Sequence, residues 1–171
     1  MSPGAPAWFS RLGLPLAAGE RAHIAAMLAA LDYAPGTAIV VAATWSDAAQ
    51  VLRGQEWDSR WWDIEEEERE RLWSAAGERL LEADLLERLA EMSNAHSAAI
   101  RKGATLAAAR GGVSDTGLVR AAADTAALAA HQRALSRLAG APAEHYFQHK
   151  FDLFAGGRWP LGVAGGSFLV F

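Results

Sequence analysis

Apolar positions along this chain recur mostly at helical spacing. Ile24, Met27, Leu28 and Leu31 repeat at three- and four-residue steps and "APG" follows them, which predicts a helix over about 20–32. After a turn, "DIEEEERERLWSAAGERLL" predicts a second over about 63–80. The longest helical pattern covers about 84–110. Its stripe is Leu85, Leu89, Met92, His96, Ala99, Gly103 and Leu106, and Gly111-Gly112 ends it. A helix over about 114–139 follows, with Ser114 as the expected N-cap and Gly140 as its stop. A short one over about 143–155 carries Phe147, Phe151 and Phe154 on one face.

Two segments break the helical rhythm. "TAIVVAATWSDAAQVLRG" fits either a helix from about Thr37 or a short strand over 37–43 followed by a helix capped by Ser46. Helix is expected, because no second strand pattern lies nearby to pair with it. At the C-terminus, Trp159, Leu161, Val163, Phe168, Val170 and Phe171 alternate around an Ala-Gly-Gly turn, predicting two short β segments packed on the helices. Residues 1–18, with Pro3, Pro6 and Pro15, read as an irregular arm.

The expected fold is all-α: one domain over 1–171, a helical bundle of five or six helices with a small C-terminal β-hairpin over 158–171. The 84–110 and 114–139 helices should be antiparallel neighbours because so short a turn joins them. Ala107, Ala108, Ala122, Ala126 and Ala129 leave little bulk between them.

Composition narrows the function classes. With 51% hydrophobic and 21% charged residues, 171 positions suffice for one hydrophobic core. The absence of cysteine excludes disulfides, thiolate metal sites and a cysteine nucleophile. A net charge of −4 argues against a nucleic-acid partner. No stretch has the apolar length of a membrane span, nor the N-terminus the layout of a signal peptide, so a cytoplasmic protein without a membrane partner is expected.

Candidate chemistry centres on histidine. His145 and His149 stand four apart, a spacing that can share a metal on a helix, but Tyr146 occupies the position where the zinc-protease pattern carries Glu. They fall opposite the Phe147, Phe151 and Phe154 face and read as a solvated polar surface. His96 and His131 lie on the inward stripes of adjacent predicted helices at similar distances from the connecting turn, which places them at one level. Such a pair could bind a divalent metal or exchange protons, with His23 or the short helix giving a third ligand. Trp57 and Trp61 with Arg60 form the most unusual composition, an aromatic platform with a cation for a ligand or partner, or indoles capping the bundle. No complete catalytic constellation emerges. The expectation is a protein acting through protein or ligand interaction, as a homodimer or other homo-oligomer. The alternative is a small metal- or His-dependent enzyme with a pocket around His96 and His131.

Overall fold

The computed structural model describes residues 6–171, so Pro3 of the predicted arm lies outside the described residues. Among the described residues, seven helices and three strands follow one another: α1 (Ala18–Ala30), β1 (Ala38–Val41), α2 (Trp45–Gly54), α3 (Arg60–Gly77), α4 (Glu82–Asn94), α5 (Ser97–Arg110), α6 (Thr116–Leu138), α7 (Tyr146–Ala155), β2 (Pro160–Ala164) and β3 (Ser167–Val170). The architecture is the predicted helical bundle with a small β element. α6 is its spine, about 35 Å long at 1.5 Å per residue, and α3, α4, α5 and α7 all pack against it. α1 lies on the other side of α7.

Four local expectations are corrected. Residues 38–41 form a strand, not a helix. β1 pairs in parallel with β3, from Ala38 opposite Ser167 to Val41 opposite Val170, and β3 also pairs antiparallel with β2. The partner is remote in sequence, which is why local reading found none. Alternation decides the matter: Ile39 and Val41 pack on the core while Val40 is exposed. Helix α2 then starts from Thr44, whose hydroxyl accepts the Asp47 N–H at 3.1 Å, rather than from Ser46.

The long helix predicted over 84–110 is broken after Asn94 and restarts at Ser97. Ser93 bonds back to the Leu89 carbonyl at 2.6 Å. Together with Asn94 and Ser97 it makes a cluster of residues whose side chains compete with helical backbone bonds. The break lets both halves stay on α6. That helix is capped by Asp115, whose Oδ1 accepts the Leu118 N–H at 3.0 Å, one residue later than expected. Gly140 ends it with φ +74°, as the pattern predicted.

The N-terminal arm is built into the core. Trp8 and Phe9 are buried, and a Cβ on Gly103 would fall 2.7 Å from the Trp8 Cβ, so the arm seats only because α5 carries glycine there. Arg158, fully buried, clamps the arm from below. It donates to the carbonyls of Arg11, Leu14 and Pro15 and to the Glu20 carboxylate. No described helix is long and apolar enough to cross a membrane.

Candidate metal centre

α1 buries Ile24, Met27 and Leu28, and α7 buries Phe147, Leu153 and Phe154. Joining those faces sets the two helices side by side. His23 sits at the edge of the α1 face and His149 at the edge of the α7 face, so the two rings meet. Their Nδ1 atoms are 3.0 Å apart, and the ring centroids are 5.3 Å apart. Asp152, three residues after His149 and so on the same side of α7, completes the group. One ligand atom from each of the three side chains lies within 4.8 Å of the others, and all three residues are half-buried.

At this distance one Nδ1–H donates to the other ring's lone pair. The His149 pKa is lowered by burial and by the neighbouring His23, against the pull of Asp152 and Glu144. A neutral ring with a lone pair is the form that ligates a metal. Asp152 is oriented by a relay from α6. Its Oδ1 accepts from Gln148 Nε2 at 2.8 Å, and Gln148 Oε1 accepts from Arg133 Nε at 2.9 Å. The Arg133 guanidinium in turn lies 4.0 Å above the Phe151 ring. Carboxylate ligands held this way by an outer hydrogen bond are the general pattern at metal sites.

The other histidines are engaged elsewhere. His145 is not on a free polar surface. Its Nδ1 accepts the Phe147 N–H at 3.1 Å, leaving Nε2 to donate to Glu68 at 2.6 Å. His131 Nδ1 lies 3.2 Å from Ser93 Oγ. The serine hydroxyl is spent on Leu89, so the ring donates and the oxygen accepts. His96 is wedged between Trp8 and Phe151, with ring centroids 5.6 and 5.3 Å away. No hydrogen bond or ring contact among the described residues joins His96 to His131.

The tryptophan cluster divides. Trp61 is buried and stacks on Phe168 at 5.9 Å and 13°. Trp57 lies along β2, bridged to Ala164, and a Cβ on Gly162 would come 3.0 Å from its ring. Arg60 turns away to Asp58 and over the Tyr33 ring at 4.6 Å. Trp57 and Trp61 thus share a narrow cleft of ≈ 50 Å³ with Asp58, Lys150, Phe154 and Leu161.

Lys150 and Glu65 escaped the sequence reading. Glu65 belongs to the acidic run at the start of α3, yet it is only 4% exposed, and Lys150 meets its two oxygens at 2.6 and 2.8 Å. The signal was present. Lys150 continues the stripe of Phe147, Phe151 and Phe154, and Glu65 continues that of Trp61, Leu72 and Ala76. The His23–His149 meeting left a weaker signal, a histidine flanking each apolar stripe. No family model, curated protein or solved structure matches this chain.

Proposed function

We propose that this chain binds one divalent transition-metal ion between α1 and α7 through His23, His149 and Asp152, and that it acts through the water such an ion carries. The observation behind this reading is the 3.0 Å approach of the two Nδ1 atoms with a carboxylate beside them. Metal–nitrogen bonds of about 2.0–2.1 Å put two nitrogens on one ion about 2.9 Å apart at a right angle and about 3.3 Å apart at a tetrahedral angle. The existing separation therefore falls within the range that ligation demands.

Two imidazoles and one carboxylate suit zinc, cobalt, nickel or ferrous iron better than magnesium or calcium, which prefer all-oxygen shells. Three protein ligands leave a coordination position for water, and half-burial gives solvent access to it. A metal there would lower the pKa of its water and supply hydroxide near neutral pH. This reading retains the metal-dependent alternative of the sequence analysis and moves its centre from His96 and His131 to His23 and His149.

Cobalt substitution tests it. Untagged protein titrated with Co²⁺ should develop visible d–d absorption, which His149→Ala should abolish and His131→Ala should leave intact. A wild-type protein that stays colourless at millimolar Co²⁺ would mean that the ring pair is only a hydrogen bond holding two helices together.

A further inference from the structure

We propose that α3 mediates a symmetric dimer of this chain, packing antiparallel against the α3 of a second copy through Trp62, Glu66, Arg69 and Trp73. The interface uses none of the ligands of the metal centre and stands or falls without it.

The first observation is where the exposed indoles lie. The chain carries seven tryptophans. Trp8, Trp45, Trp61 and Trp159 are buried, and Trp57 lies along β2. Trp62 and Trp73 instead stand 59% and 38% exposed, both on α3. Their separation is about three helical turns, so the two rings share one side of the helix about 16 Å apart. Leu128 of α6, also exposed, lines the same cleft as Trp62 and extends the apolar surface beyond α3. Contiguous exposed apolar surface marks an interaction site, and tryptophan is among the residues that most often anchor one.

The second observation is the charge pattern between the rings. Glu66 and Arg69 lie on the same side of α3, and with the two tryptophans they span an arc of about 60°. Arg69 Nε donates to Glu66 Oε2 at 3.0 Å, which lays both side chains along the stripe, and both are open to solvent. Trp62 precedes Glu66 by the same interval that separates Arg69 from Trp73. The pair Trp62 and Trp73 and the pair Glu66 and Arg69 therefore share one midpoint, between Glu67 and Glu68. Turning a second α3 end for end about that point sets Trp62 against the partner's Trp73 and Glu66 against the partner's Arg69, each contact made twice.

That symmetry decides the occupant. The stripe is its own complement when read in reverse, which is the property of the shared patch in a two-fold dimer. A parallel copy would oppose Glu66 to Glu66 and Arg69 to Arg69, and like charges so placed repel. Exposed ion pairs contribute little by themselves. The indoles supply the affinity, and the charges select the antiparallel register.

Exchanging the charges tests the proposal. Wild-type protein at high micromolar concentration should sediment at twice the chain mass. Glu66→Arg or Arg69→Glu alone places like charges across the axis and should weaken association at least about tenfold. An equimolar mixture of the two variants restores both opposed pairs in a heterodimer and should sediment as the wild type does. Both positions are on the surface, so each variant should keep the circular dichroism of the wild type. Trp62→Gln leaves the charges in place, probes the same surface independently of them and should also weaken the dimer. A wild type that stays monomeric would overturn the proposal. So would a dimer that survives all three substitutions, since another surface would then form it. Two monomeric charge variants that fail to associate when mixed would overturn it as well.

Discussion

The Nδ1 atoms of His23 and His149 stand 3.0 Å apart although 126 positions separate the residues in the chain. Neither histidine brings the other there. Ile24, Met27 and Leu28 of α1 share one core with Phe147 and Leu153 of α7, and the rings meet because each flanks the buried stripe of its helix. The site is a by-product of packing geometry that Asp152 and its Gln148–Arg133 relay then sharpen.

Stability should fall as the medium is acidified from pH 7.5 to 5. Burial lowers the pKa of His96, His131 and His149 from the ordinary 6.5, helped by Arg133 and Arg137 at His96, by Arg69 at His131 and by His23 at His149. The unfolded chain then binds protons that the folded one refuses, so stability is full above the unfolded value of 6.5 and declines below it. Urea midpoints across that range should fall steadily in metal-free protein. His131→Leu should flatten the slope, since it removes one of the three groups. A midpoint that rises towards pH 5 would reverse the sign of this account.

Arg158 should tolerate no conservative exchange. Its guanidinium is fully buried and serves three carbonyls and Glu20 from three separate nitrogens, a fan that a single ammonium cannot reproduce. Desolvation alone would raise the Glu20 pKa, but hydrogen bonds from Arg158, the Ala17 N–H and Arg11 outweigh it and hold the value at about 2. Arg158→Met should cost about 3–5 kcal/mol at pH 7, because it strands a carboxylate and three acceptors, and Arg158→Lys should recover little of that. In the wild type the Glu20 contribution is complete above pH 4.5 and lost as pH falls towards 2. Denaturant melts of both variants at pH 7 check the first part.

The sheet should prove structural. β3 is its central strand, and Phe168, unexposed, stacks on Trp61. Phe168→Ala should destabilise by about 3–5 kcal/mol through lost burial and the cavity left behind. Deletion of 158–171 removes Arg158 as well as β2 and β3, and should abolish cooperative melting. An intact thermal transition in the truncated chain would make the tail dispensable.

Helices α1, α3, α6 and α7 were legible because each carries an apolar stripe of helical period bounded by a stop or a turn. The C-terminal hairpin was legible from its alternation and its two glycines. β1 was not, because a four-residue strand acquires its meaning from a partner that only the tertiary fold supplies. The break after Asn94 was hidden by a stripe that runs through it without interruption. The same limit applied to the site. Equal distance from a turn placed His96 and His131 at one level, but the break re-aimed His96 into Trp8 and Phe151. Solvent exposure was the natural reading for His145 and His149 while the positions of α1 and α3 were unknown. Once α3 supplies Glu68 and α1 supplies His23, both rings have partners.

The proposed metal centre is tested most directly by calorimetric titration of untagged, metal-free protein with Zn²⁺ at pH 7.5. Wild-type protein should bind one ion per chain, and His23→Ala or Asp152→Asn should weaken binding at least tenfold. His145→Ala should bind as the wild type does, because its ring caps α7 and pairs with Glu68 outside the cluster. Saturable binding that survives His23→Ala and is lost in His145→Ala, or no binding at all by the wild type, would contradict the account.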